Sequence, residues 1–383
     1  MNLDQFFSCP IIDCHIHYPH LSQMPKLLQV CDGLNIERFN IVCTPDRSRL
    51  SLVPDALHLK AHHPQRVFVF GGLDVSVYFR APQQVGAMFA GMLDQLVEAG
   101  CDGIKMIEGK PDMRKMLPIP PFDSDAFAPF WEKMAQAQVP LIFHVNDPEE
   151  FWDASRIPDW AMQRGWFYGD GTFINNESQY AEIFNLLSRT PNLKVIFAHF
   201  FFLSAQFPRL EDLLERYPNV SIDLTPGIEM YRNFSTSIEK TREFFLKYQD
   251  RILFGTDIGA RALLSSPQTD IELAESRERV TLVRNCLENP GEYHLQPGGG
   301  FLFGEQKATF RGLDLPDSVL HKIYHQNFER VVSPSPRPLN PGLIVEMCNQ
   351  IEMMIQMQGS SQPGVPGDPS VVSQVRSFFE SVV

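Results

Sequence analysis

The sequence predicts an α/β fold, a (β/α)8 TIM barrel with a C-terminal helical extension, and three observations predict it. Eight short apolar or β-branched runs recur along the chain, amphipathic segments separate most of them, and histidines, a lysine and an aspartate stand where runs end. Strands alternating with helices imply a parallel sheet. Eight such units, with chemistry collected at the strand ends, fit a closed barrel better than an open doubly wound sheet. An open sheet would carry a Gly-rich first turn for a phosphate, whereas this first turn reads His-Ile-His-Tyr-Pro-His and offers metal ligands.

The runs lie around Ile11 to Ile16, Phe39 to Thr44, Val67 to Leu73, Gly103 to Ile107, Val139 to Val145, Lys194 to Ala198, Val220 to Leu224 and Ile252 to Gly255. Helical periodicity, with apolar residues recurring at three and four, is clearest at Phe89 to Ala99 and is also read at Ala126 to Ala137, Ser178 to Ser188, Leu210 to Arg216 and Ile238 to Lys247. Three connections, Glu108 to Asp125, Asn146 to Glu177 and Asp257 to Asp270, are long enough to shape a substrate site. After the eighth strand come a helix near Ile271 to Glu288, a Gly-rich segment beginning at Gln296, and a helix near Asp317 to Val332. The reading therefore assigns residues 1–332 to a catalytic barrel and 333–383 to a helical extension. Within the extension, a Met-rich helix at Leu343 to Met357 and a short final helix flank a flexible link at Gly359 to Pro369. The Met stripe reads as core packing or a homodimer contact.

At 383 residues the chain can bury a large core. Its net charge of -13 argues against nucleic acid or an anionic membrane as partner and leaves a small molecule as the expected one. Seven cysteines scattered singly, without a CxxC pair, read as reduced thiols in a cytoplasmic protein. The N-terminus lacks the pattern of a removable signal, and no apolar stretch is long enough to span a bilayer.

The chemistry starts at Asp13-Cys14-His15-Ile16-His17, where two imidazoles two residues apart on a strand point to one side, the geometry of a metal clamp. His144, His199 and Asp257 each close a further run, and Lys105 ends Cys101-Asp-Gly-Ile-Lys105 in the same way. Imidazoles with a carboxylate suit one divalent metal, zinc first and manganese or iron as alternatives, with an open position for a water made acidic by the ion. Asp257 is placed both to bind the metal and to accept the proton of that water. Its competing role is a helix N-cap in Gly-Thr-Asp-Ile.

These motifs, with a late Ile323-Tyr-His-Gln-Asn-Phe-Glu-Arg330, resemble the amidohydrolase superfamily, and within it the amidohydrolase-related branch of metal-dependent hydrolases and non-oxidative decarboxylases. The resemblance covers roughly residues 9 to 331. It implies metal ligation by His15, His17, His144 and Asp257, with His199 beside the metal water as a proton shuttle or polarising group. Lys105 would be either a carbamylated bridge to a second metal or a substrate contact; one metal is the expectation, with room left for two. The chain departs from its relatives at Phe200-Phe201-Phe202, where aromatics replace small residues and would narrow or wall the pocket. Trp152, Trp160 and Trp166 could line it as well.

Anion recognition would need a guanidinium. Candidates near strand ends are Arg47, Arg49, Arg232 and Arg261, with Glu229 and Tyr231 placed to orient substrate. The expected function is a metal-dependent hydrolase in which metal-activated water attacks the carbonyl carbon of an amide, lactone or related bond. The alternatives are a metal-dependent decarboxylase and a non-catalytic metal-binding scaffold. Two arginines converging on the metal around a ring-sized slot would favour the decarboxylase.

Overall fold

The structure is a computed structural model that describes residues 6–45, 50–260, 270–294, 309–359 and 369–382. Arg47, Arg49, Arg261, the Gly-rich segment from 296 and the link at 360–368 lie outside these residues.

Eight parallel strands hydrogen-bond in sequence order: β1 (Ile11–Ile16), β2 (Ile36–Val42), β3 (Val67–Gly72), β4 (Gly103–Gly109), β5 (Leu141–Val145), β6 (Val195–Phe197), β7 (Val220–Asp223) and β8 (Ile252–Leu253). Closure between the last and first strands comes from Cys14 N donating to Phe254 O (2.9 Å), Asp257 N to His15 O (2.9 Å) and His17 N to Ile258 O (2.8 Å). The sheet is therefore a barrel, as the sequence predicts. Its strands are continuous apolar runs because both faces are buried, one by interior side chains and one by helices. Ile12, Cys14, Phe68, Phe70, Ile142 and Ile196 fill the interior, and Phe328 and Val331 join the same cluster.

The helices covering the strands are α1 (Met24–Gly33), α2 (Val53–His62), α3 (Val85–Ala99), α4 (Ala128–Ala137), α5 (Asn176–Arg189), α6 (Phe207–Arg216), α7 (Ile238–Lys247) and α8 (Leu273–Glu288). In α3 the buried Val85, Phe89, Leu93 and Leu96 recur at three and four, and the helix stops at Gly100, whose φ of 111° suits glycine. In α5, Asn175 caps the start by accepting from Glu177 N at 2.9 Å. A later helical stretch, Asp317–His321 through Asn327–Val331, contains one π turn at Lys322–Gln326. Asn327 there donates to Ile252 O (2.8 Å) and Gln249 O (2.7 Å), tying this stretch to β8.

The extension forms two helices, α9 (Pro341–Gly359) and α10 (Pro369–Glu380). Ile344, Cys348, Ile351 and Ile355 of α9 and Val372, Val375 and Phe379 of α10 are buried in the same core cluster as the barrel's outer layer. Of the methionines in the stripe, Met347 and Met354 pack on that core and Met353 is exposed. A short antiparallel pair, Glu292–His294 with Thr309–Arg311, is an addition that the sequence reading does not contain.

Candidate metal centre

The C-terminal ends of the strands bring the singled-out side chains to one mouth. His15 and His17 leave β1 on the same side, and Asp257 follows β8 with a φ of 60°. His17 Nε2 lies 3.2 Å from Asp257 Oδ1 and His15 Nε2 lies 3.6 Å from the same oxygen. Ligand atoms of these three residues all fall within 4.8 Å of one another. Arg279, fully buried on α8, stands 3.5 Å from Asp257 Oδ2.

An aspartate outside the sequence reading orients the first of these side chains. Asp223, the last residue of β7, accepts from His15 Nδ1 at 2.9 Å, which puts the proton on Nδ1 and turns the Nε2 lone pair toward the triad. It also accepts from His199 N at 2.8 Å and Thr225 N at 3.1 Å through Oδ1. The signal that marks His144 and His199, a polar residue closing an apolar run, is present in Val220-Ser-Ile-Asp223 too. Asp223→Asn keeps an acceptor for the backbone but removes the charge behind His15. Metal affinity is expected to fall about 10- to 100-fold, measured by chelator competition; an unchanged affinity would deny Asp223 this role.

His199 follows β6 in a left-handed turn, with φ of 54° at His199, 56° at Phe200, 57° at Phe201 and 53° at Phe202. Four non-glycine residues in this region are strained, and packing holds them. Phe201 stacks on Phe197 at 4.0 Å between centroids, and Phe200 packs on Phe234 at 4.9 Å. Only Phe202 of the three aromatics lines the cavity, 5.2 Å from the His199 ring and 5.4 Å from that of His144. His199 Nδ1 donates to Thr225 O (3.2 Å), leaving Nε2 as its acceptor.

His144 stands beside the triad and not within it. Its ring is 4.8 Å from that of His199, but its Nε2 faces Asn146 O (3.0 Å) and Asp147 Oδ1 (3.4 Å). Lys105 Nζ lies 3.1 Å from His15 Nε2. Burial pushes its amine down to about 8 against the pull of Asp223 and Asp257.

Burial likewise holds the imidazoles neutral, His17 at about 4 and His199 at about 3. Burial alone would raise Asp257, yet the hydrogen bond from His17 outweighs it and keeps the carboxyl well below its usual range. Neutral imidazoles beside an ionised carboxylate are the protonation states a divalent cation requires. The donor set of His15, His17 and Asp257 therefore fits such an ion, with zinc, manganese and iron(II) all compatible with its nitrogens and oxygen.

Above the triad opens a cavity of about 220 Å3. Its inner end carries the histidines and Lys105; its outer wall carries Phe151, Trp160 and Trp166 from the connection after β5, and Glu229 and Arg232 from the helix Ile228–Thr236. Tyr231 is turned away from it, donating to Leu224 O at 2.8 Å in the core. Trp152 donates to Ile174 O and lies off the lining.

A parallel barrel with buried imidazoles and a carboxylate converging at its C-terminal mouth defines a metal-using barrel enzyme. The amidohydrolase family model matches residues 12–333, and the chain belongs to that family, whose members are metal-dependent enzymes acting on small molecules. Among solved structures, a candidate amidohydrolase from Staphylococcus aureus is 14% identical, with 85% of this chain and 99% of that chain covered and a TM-score of 0.53. An uncharacterized TIM-barrel protein from Bordetella bronchiseptica is 13% identical over 85% of this chain and 99% of its own, with a TM-score of 0.52. The 2,6-dihydroxybenzoate decarboxylase complexed with 2,6-dihydroxybenzoate is 14% identical over the same shares, with a TM-score of 0.48. At these identities the likeness is one of fold. No match was found among curated proteins.

Proposed function

We propose that the protein is a metal-dependent hydrolase acting at the carbonyl carbon of an amide, lactone or related C–N or C–O bond of a small molecule. The observation that carries this reading is the buried convergence of His15, His17 and Asp257 within 4.8 Å, with Asp223 behind His15. One divalent ion, zinc by preference, would be held by these three residues, with His144 completing the set if its ring turns from Asn146. When bound, the ion supplies Lewis acidity at the inner end of the cavity.

The chain's own residues supply the rest. Asp257 takes the proton of the attacking water at a carboxylate oxygen, held ionised by His17 and Arg279. His199, with Nδ1 bound to Thr225, keeps Nε2 for a proton passing to or from the leaving group. Lys105 contacts a substrate oxygen. Phe202, Trp160 and Trp166 wall the cavity and limit water. All seven cysteines are buried thiols outside any disulfide, which supports a cytoplasmic setting, and no helix among the described residues is long and apolar enough to cross a membrane.

The decarboxylase reading rests on Lys105 and Arg232, two cations on one cavity that would hold a carboxylate. Of the arginines weighed from the sequence, Arg232 is the one that reaches the lining among the described residues.

The test is metal content by elemental analysis, followed by lactone, amide and decarboxylation assays with and without chelator. About one equivalent per chain is expected, with its loss in the His15→Ala, His17→Ala double variant and chelator-sensitive hydrolysis in the parent. Near two equivalents would assign Lys105 the bridging role. Metal retained by the double variant would refute the site, and carbon dioxide release without hydrolysis would transfer the assignment to the lyase.

A further inference from the structure

A threonine hydroxyl stands where packing alone would be served by valine. Thr225, just past the end of β7, is fully buried. Its γ-methyl fills the space that Gly255 leaves, where a Cβ would sit 3.0 Å from Thr225 Cγ2 and 3.1 Å from Cys14 Sγ. The hydroxyl faces the polar side, between Asp223 and His199.

Its contacts fix where each proton lies. Thr225 Oγ1 is 2.5 Å from Asp223 Oδ1, an oxygen that also accepts from His199 N at 2.8 Å and Thr225 N at 3.1 Å. A carboxylate oxygen engaged by two backbone N–H groups is an acceptor, so the hydroxyl gives its single proton to that contact. Lone pairs remain on Oγ1, and they face His199 N at 3.1 Å and His199 Nδ1 at 3.1 Å. The other neighbour of Nδ1 is Thr225 O at 3.2 Å, again an acceptor. A neutral imidazole carries one ring proton. Two acceptors at Nδ1 place it there and leave Nε2 with its lone pair.

The backbone of His199 is held by the same groups. Its φ of 54° is a left-handed value that a non-glycine residue keeps only under constraint, and its N–H is gripped by Asp223 Oδ1 and Thr225 Oγ1. Asp223 thus divides its oxygens. Oδ2 accepts from His15 Nδ1 at 2.9 Å, and Oδ1 acts on His199 through its N–H and through Thr225.

We infer that Thr225 is a positioning residue: its hydroxyl, oriented by Asp223, holds His199 with the ring proton on Nδ1 and the Nε2 lone pair free for the proton that the reaction moves. The hydroxyl keeps its own proton and passes none on. The tautomer follows from the hydrogen bonds alone, whereas its use in turnover rests on the proposed hydrolase reading.

The test is a two-bond proton–nitrogen correlation spectrum of the zinc-supplemented full chain carrying isotope-labelled histidine, which reads the tautomer of each ring. The His199 signals are assigned by their loss in His199→Gln. Thr225→Val is expected to shift the His199 ratio about fivefold from Nδ1–H toward Nε2–H, the worth of one hydrogen bond. His15 should not change, because Asp223 Oδ2 still accepts from its Nδ1. Thr225→Ser keeps the hydroxyl and should keep the parent ratio. On the substrate that the hydrolysis screen identifies, kcat of Thr225→Val should fall by up to the same factor at unchanged KM, and Thr225→Ser should retain the parent value. Thermal melts report folding, and Thr225→Ala, which also lacks the hydroxyl, carries the test if Thr225→Val does not fold. A His199 ratio indifferent to loss of the hydroxyl would overturn the inference, since the Thr225 carbonyl would then suffice. So would a shift of His15 together with His199, which would mark a general collapse of the site, or a failure of Thr225→Ser to keep the ratio. The expected tautomer shift in a chain whose parent shows no hydrolysis would refute the hydrolase reading and leave the positioning role standing.

Discussion

Asp257→Asn is expected to lower kcat/KM by about 100- to 10,000-fold, the range that removal of a positioned acid–base group produces, while the barrel stays folded. Asparagine tolerates the left-handed backbone that Asp257 adopts at φ 60°. The hydrogen bond from its N–H to His15 O, which helps close β8 onto β1, therefore survives. What disappears is the negative charge between His15, His17 and Arg279. Without it Arg279 keeps Glu275, at 2.8 Å, as its partner, so the loss falls on the chemistry and on metal retention. Steady-state kinetics on the substrate found by the hydrolysis screen, with metal content measured on the same sample, would decide it. Full activity in the variant would make both roles of Asp257 untenable.

The barrel was legible because strands buried on both faces must be apolar throughout, and each of the eight predicted runs overlaps an observed strand. The boundaries slipped where burial is uneven. In β2, Ile36, Glu37 and Arg38 belong to the strand although Glu37 is exposed, so no apolar run announces its start. In β8 the run Ile252 to Gly255 shortens to Ile252–Leu253 because Phe254 N donates to Ile323 O at 3.0 Å instead of to a neighbouring strand. The helix α2 goes unnamed in the sequence for a related reason. From Val53 to Lys60 every residue is buried, including Asp55, His58 and Lys60, and a helix without a polar face shows no amphipathic period.

The site was legible to the extent that its groups end strands. His15, His17, Lys105, His144, His199 and Asp257 all line the one cavity, as do Glu229 and Arg232. Asp223 carried the same mark and was passed over, being a single carboxylate without a nearby histidine in the chain. Arg279 could not be read, since it reaches Asp257 from the middle of α8, across a connection whose length says nothing about contact. Tyr231 shows the converse. It sits two residues from Glu229 in sequence, but on the helix Ile228–Thr236 that separation turns it to the core, whereas Arg232 at i+3 shares the face of Glu229.

At the opposite end of the barrel from the site, Lys60→Met is expected to cost about 3–5 kcal/mol of stability, the penalty for stranding one partner of a buried ion pair. Lys60 Nζ lies 2.6 Å from Asp102 Oδ2 and 2.7 Å from Gly100 O, with both side chains 1% exposed. Asp102 immediately precedes β4 and also accepts from Val69 N (2.8 Å) and from Arg337 N (2.7 Å). One carboxylate thus joins α2, β3, the start of β4 and the chain leading into α9. Burial raises Asp102 and lowers Lys60, each opposed by its partner, so removing the ammonium leaves burial to act on the carboxylate with only two backbone donors against it. The strand N-terminal face is where a barrel places residues for stability, so urea unfolding should shift while metal content holds. In the double variant Lys60→Met, Asp102→Asn the loss should be smaller than the sum of the single losses, because the stranded charge is gone. A single-variant loss below about 1 kcal/mol would reduce the pair to the worth of an exposed ion pair, and the extension would then have to be held by the apolar seam of α9 and α10 alone.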